Sequence, residues 1–140
     1  MVVTVQLEVA KRMAASPGSA DYSSFSVLCA SAYRIKPLMI IKGASFYPKP
    51  NVDSQAILLE RKDETAKQPL CFYPLIRQLF SSRRKMIKNN LAGFFRNNSP
   101  AETAIMVLEK CSISGNKRAE ELHLADFTLL AKTIEDMGLY

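Results

Sequence analysis

The sequence is poor in the residues that most enzymes use for chemistry. It has one histidine, His123, with no cysteine or second histidine at ligand spacing and no serine-nucleophile signature near it, which leaves no metal site and no catalytic triad to read. Its five glycines, Gly18, Gly43, Gly93, Gly115 and Gly138, are all isolated, so no glycine-rich phosphate loop is present. The carboxylates Asp63-Glu64 and Glu120-Glu121 do not resemble a general acid/base pair. Cys29, Cys71 and Cys111 are odd in number and far apart; they read as reduced thiols of a cytoplasmic protein rather than a disulfide framework. No apolar run approaches the ~18 residues that span a bilayer, and the N-terminus shows no basic region leading into an apolar region and cleavage site. No membrane partner is expected.

Acidic residues are missing from one window altogether. Between Thr65 and Ala101 there is no Asp or Glu, while Lys67, Arg77, Arg83, Arg84, Lys85, Lys88 and Arg96 all fall there. In a chain of 140 residues with a formal net charge of +6, this concentration points to an anionic partner such as nucleic acid. On a helical wheel through RRKMIKNNLAGFFR, Ile87, Leu91 and Phe94 share one face, and Lys85, Lys88, Asn89 and Arg96 the other. Cationic side chains neutralise phosphates, and Asn adds neutral hydrogen bonds.

The pattern of elements changes along the chain. Val2 to Val5 predicts a strand running at once into the helical stretch QLEVAKRMAAS, ended by Pro17-Gly18. A helix is expected from Ser24 to Tyr33, and strands at Leu38 to Ile41 and Gln55 to Glu60. The charged segment around 63–69 reads as a linker. Beyond it, helices are expected at about Pro74–Ser81, Arg84–Phe95, Pro100–Lys110 behind a Ser99/Glu102 capping box, and Leu124–Met137. This gives α/β elements in 1–62 (strand-helix-helix-strand-strand) and a helical domain in 70–140. If Val2–Val5 lacks an inner neighbour strand, the isolated chain is expected to self-associate through that sheet edge.

One loop stands out. In FYPKPNVDS, two prolines two residues apart exclude a helix or central strand, and they hold Phe46 at the loop mouth as either a core anchor or a stacking platform for a base.

The segments VQLEVAKRMAASPGSADYSSFSVL, FYPKPNVDSQAILL, RRKMIKNNL and RAEELHLADFTLLA occur in the order and spacing of the KsgA-type ribosomal RNA adenine N6-dimethyltransferases. The chain resembles that family over most of its length. The Phe-x-Pro-x-Pro-x-Val-x-Ser motif is shared with the Erm-type methyltransferases; RRKMIKNNL and RAEEL favour the KsgA type. The resemblance implies the C-terminal part of a Rossmann-like methyltransferase sheet followed by a small all-helical domain. It implies an enzyme that uses S-adenosylmethionine to dimethylate two adjacent adenines near the 3′ end of small-subunit (16S) rRNA, within the pre-30S particle, during ribosome biogenesis. By the same resemblance Phe46 stacks on the extruded adenine, and Lys49, Arg83, Arg84, Lys85 and Lys88 contact RNA. The family's glycine-rich cofactor loop and Asn-Leu-Pro-Tyr-like motif have no counterpart in this sequence, so the cofactor-binding half is expected to be absent, with no cofactor-binding residue in this chain and the chain inactive alone. Asn51 stands where the family often has Lys, with Lys49 two residues away. Two alternatives remain: a non-catalytic rRNA-binding or ribosome-docking module, and an Erm-type large-subunit rRNA methyltransferase.

Overall fold

The computed structural model describes residues 1–63 and 67–140; residues 64–66 of the segment read as a linker lie outside the described residues. The chain divides into two compact units, Met1–Glu64 and Thr65–Tyr140.

The first unit is a mixed α/β layer. Strand β1 (Val2–Gln6) passes straight into helix α1 (Leu7–Met13); helix α2 (Ser24–Ala32) follows, then strands β2 (Tyr33–Ile41) and β3 (Ser54–Arg61). The strands form an antiparallel sheet of order β1-β3-β2. The β-branched run in β1 favours the pleat, and its alternation sends Val3 and Val5 inward to a core of Ala10, Ile57 and Leu59. The opposite residues, Val2 and Thr4, stay exposed. Pro17-Gly18 makes a turn in which Ser19 N–H donates to Ser16 O at 3.2 Å, with Gly18 at φ +83°, the left-handed position that glycine occupies without strain. Ser26 Oγ then donates to Arg12 O at 2.6 Å, tying α2 to the end of α1.

Strand β2 is five residues longer at its start than Leu38–Ile41 suggests. Tyr33–Pro37 continues the strand because β2 is an edge strand, where a proline without an N–H is tolerated. The register shifts between Pro37 and Met39 to accommodate it.

The second unit is helical: α3 (Phe72–Leu79), α4 (Ile87–Ala92), α5 (Pro100–Lys110) and α6 (Leu124–Asp136). Phe72, Leu75, Ile76, Leu79, Phe127 and Leu130 are fully buried at its centre. Helix α4 is half the expected length. The N–H groups of Ile87 and Lys88 donate to Lys117 O and Gly115 O at 2.7 and 3.3 Å instead of to an upstream turn, so Arg83–Met86 is a turn. After Ala92, Phe94 and Phe95 close i→i+3 bonds to Leu91 and Ala92. In consequence Phe95, rather than Phe94, is buried beside Ile87 and Leu91. The expected Ser99/Glu102 capping box does not form; Ser99 O instead accepts from Thr103 N–H and Oγ at 3.0 and 2.8 Å. Gly138, at φ +66°, follows the end of α6.

Cys71 and Cys111 are buried and Cys29 is half-buried. Burial, then the nearby Glu135 charge, pushes the Cys71 thiol up to about 11, which keeps it protonated and unreactive at neutral pH. No helix among the described residues is long and apolar enough to cross a membrane.

Candidate nucleic-acid interface

The loop between β2 and β3 is built around one carboxylate. Asp53 Oδ1 accepts from the backbone N–H of Gly43 at 3.0 Å, and Oδ2 from Lys42 Nζ at 3.0 Å. The Gly43 hydrogen bond, followed by that of Lys42, holds the Asp53 carboxyl below the usual carboxylate range. Asp53 O also accepts from Leu7 N–H at 2.9 Å, joining the loop to the start of α1. Gly43 is a close-approach position: a Cβ there would lie 2.8 Å from Pro50 O and 3.2 Å from Val52 O. Glycine therefore permits the loop to fold back on itself.

Gly43–Ser45 forms a short 3-10 turn, and Phe46 N–H donates to Gly43 O at 3.1 Å. The backbone of Phe46 is thus fixed while 39% of the residue remains exposed. The ring is thus part-exposed on a loop whose backbone is stapled by hydrogen bonds. Tyr47 beside it is fully exposed, and Lys49 is exposed with no ion pair among the described residues. The end of the loop, Val52-Asp53, joins Gln6, Leu7, Glu8 and Asp21 in lining a cleft of about 460 Å³. The tie from Asp53 to Lys42 and Gly43 has no signature in the sequence. The carboxylate and its two donors lie ten or more residues apart, and no periodic pattern marks such a pair.

In the helical unit, the four basic residues fall into two kinds. Arg84 and Lys85 are exposed in the turn before α4, with no ion pair among the described residues. Arg83 pairs with Glu120 at 3.2 Å, so the acid-free window does have a counter-charge, supplied from 37 residues further on. Lys88 is half-buried. It donates to Asn116 Oδ1 at 3.2 Å, and its stem lies against Gly115, where a Cβ would meet Lys88 Cβ at 3.2 Å. Lys85 and Lys88 therefore do not share a helix face: Lys85 precedes α4. The group is a short cationic ridge, two members free and two oriented by partners. Such a ridge suits phosphates through charge, with little sequence reading of its own.

The family model described as "Ribosomal RNA adenine dimethylase" matches residues 1–136. The chain is 45% identical over 136 residues to "Ribosomal RNA small subunit methyltransferase A" of Treponema denticola, covering 96% of this chain and 46% of that protein. The protein of the same name from Treponema pallidum (strain Nichols) is 37% identical, over 96% of this chain and 48% of that protein. The chain thus spans about half the length of the curated relatives it matches. A crystal structure of a dimethyladenosine transferase from Plasmodium falciparum matches with a TM-score of 0.83 at 22% identity, covering 99% of this chain and 57% of that one. The crystal structure of the 23S rRNA methyltransferase ErmE matches with a TM-score of 0.62 at 17% identity, covering 96% and 54%. These two likenesses establish the fold: part of a methyltransferase α/β sheet with a helical unit after it.

Proposed function

The chain belongs to the ribosomal RNA adenine dimethylase family, and from that premise we propose that it is the substrate-presenting part of an rRNA adenine N6-dimethyltransferase. Its substrate in this reading is two adjacent adenines near the 3′ end of small-subunit (16S) rRNA in a pre-30S particle. Its setting is ribosome biogenesis in the cytoplasm, and its methyl donor is S-adenosylmethionine. The names of the relatives favour the small-subunit over the large-subunit substrate.

The observation that carries the reading is the Phe46 loop. A target adenine must leave its stack to reach a methyl donor, and the ring that receives it loses least entropy if already held. Asp53, Gly43 and the Phe46 N–H bond hold it. On the second unit, Arg83, Arg84, Lys85 and Lys88 hold phosphates of the RNA, and Lys49 adds charge on the Phe46 loop. In this reading residues 1–62 complete the methyltransferase sheet, 63–69 link the two units, and 70–140 dock the RNA.

The donor itself supplies an electrophilic methyl group when bound. The described residues do not fit it: β1 enters α1 at Gln6-Leu7 with no glycine turn between them, and no other strand among them runs into a glycine-rich helix start.

The test is binding to a 3′-terminal small-subunit rRNA hairpin with its unpaired adenines. Base stacking of about 1–3 kcal/mol predicts that Phe46→Ala weakens binding about 5- to 150-fold, with Phe46→Tyr near wild type. Equal affinity for Phe46→Ala removes the stacking role. A non-catalytic docking module uses the same surfaces, and methyl transfer to the hairpin by this chain joined to the remaining part of its Treponema denticola relative separates the two readings.

A further inference from the structure

A second aromatic and cationic surface lies on the helical unit, apart from the ridge at residues 83–88. On α3, Tyr73 and Arg77 stand four apart on one side, as do Pro74 and Gln78. These four line a shallow depression of about 490 Å³. Pro74 and Gln78 also line a neighbouring cavity of about 490 Å³, whose other walls include Phe94, Arg96 and Tyr140.

The exposed rings are braced by inner ones. Tyr73 is 52% exposed and meets the buried Phe72 edge-on, centroids 5.4 Å apart. Tyr140 is 62% exposed and stacks on Phe94 at 5.9 Å with 12° between the planes. Phe94 in turn meets the buried Phe95 edge-on at 5.7 Å. Between them Gln78 Nε2 donates to Asn90 O at 3.2 Å, leaving its carbonyl oxygen without a hydrogen bond among the described residues. The amide lies there because residue 93 is glycine: a Cβ would come within 2.5 Å of Nε2. Arg77 and Arg96 are exposed and make no ion pair among the described residues. Neither cavity has an acidic residue in its lining.

We propose that this face is a second RNA contact, one that holds an unpaired stretch rather than a duplex. Stacked rings with flanking arginines and few other hydrogen-bonding groups suit bases with free π-faces. Tyr73 and Tyr140 receive bases, Arg77 and Arg96 hold the intervening phosphates, and the Gln78 carbonyl accepts from a base amine. The inference rests on the RNA-binding reading above and adds the single-stranded class of ligand to it.

The test uses the whole chain and a fluorescein-labelled oligoadenylate of about 10 nucleotides, within the range of known single-strand sites. Tyr73→Ala and Tyr140→Ala are each expected to weaken oligoadenylate binding about 5- to 150-fold, with Tyr73→Phe and Tyr140→Phe near wild type. Arg77→Glu with Arg96→Glu is expected to flatten the salt dependence by about 1.4 in log–log slope, at about 0.7 per neutralised phosphate. Unchanged oligoadenylate affinity in the alanine variants overturns the proposal, even where Phe46→Ala and Lys85→Glu still weaken hairpin binding. Displacement of the RNA by polyglutamate together with insensitivity to the ring variants also overturns it, in favour of an acidic peptide. Failure of the wild type to bind either RNA overturns this proposal and the function it rests on together.

Discussion

Gly43→Ala isolates the loop that presents Phe46. The added Cβ would stand 2.8 Å from Pro50 O and 3.2 Å from Val52 O, both backbone atoms of the same loop. Neither is the far end of a flexible side chain, so the loop has to shift. Overpacking of this kind costs about 1–3 kcal/mol. The same residue donates to Asp53 Oδ1 and accepts from Phe46 N–H, so relieving the clash carries Phe46 with it. Gly18→Ala is the matched control. Gly18 has φ +83° and no atom within 4 Å of an added Cβ; its substitution costs about 1–2 kcal/mol through backbone strain alone. Urea unfolding should show both variants destabilised to a similar degree. Hairpin RNA binding should separate them: near wild type for Gly18→Ala, and up to about 150-fold weaker for Gly43→Ala if base stacking is abolished. Equal RNA affinities for the two variants refute the coupling between loop closure and ring placement.

Asp53 gives a pH dependence of known sign. Its folded carboxyl lies below its usual range, so the loop's contribution is present above the unfolded pKa of about 3.9 and lost as the pH falls through the lower folded value; urea midpoints measured below about pH 4 should fall less in Asp53→Asn than in wild type. Asn90 is buried and Nδ2 donates to Leu79 O and Ser82 O at 2.9 Å each. Asn90→Ala should lower unfolding free energy by about 1–3 kcal/mol, and Asn90→Asp by more, since an acceptor then faces two carbonyl oxygens. Lys85→Glu with Lys88→Glu should weaken hairpin binding regardless of sequence and flatten its salt slope by about 0.7–0.9 for each phosphate no longer neutralised; an unchanged slope removes the ridge from the interface. Strand β1 pairs with β3 through Met1 and Leu59, which turns the backbone groups of Val2 and Thr4 to the open side. This edge has no charge, proline or bulge, whereas β2 has Lys36, Pro37 and a register shift. Sedimentation should show self-association of the wild-type chain, reduced in Thr4→Lys; a monomeric wild type counts against an adhesive edge.

The elements were legible wherever local pattern and tertiary environment agree. The β-branched run of β1 and the apolar stripe Leu124, Phe127, Leu130, Ala131, Ile134 of α6 both lie where their periods suggest, with Leu124 alone only half-buried. Tyr33–Pro37 was hidden by competing signals. Tyr33 closes a helical apolar run, and Pro37 argues against a strand, although Tyr33-Arg34-Ile35-Lys36 alternates as a strand should. Only its place at the sheet edge makes the proline acceptable. The Ser99/Glu102 pair shows the converse. The spacing of a capping box is present, but Asn97 Nδ2 donates to Thr103 Oγ at 2.8 Å and Thr103 Oγ to Ser99 O, so the first turn is satisfied by other groups.

The Phe46 loop and the cationic region around residues 83–96 differ in how far apart in the chain their parts lie, and that difference explains which was readable. The Phe46 loop closes within residues 42–53 through Lys42, Gly43 and Asp53, so a short motif contains nearly all of its geometry. The cationic region does not close locally. Helical periodicity through residues 84–95 predicts one long face, yet Gly115 and Lys117 take the N–H groups that would extend α4 upstream. Likewise Glu120 neutralises Arg83 across a gap that no local charge count spans. A window without acids in sequence is therefore not a surface without acids in space. Arg84 and Lys85 in the turn and Arg77 and Arg96 beside the exposed rings are exposed and make no ion pair among the described residues, which is why the proposals above assign them phosphate as a partner.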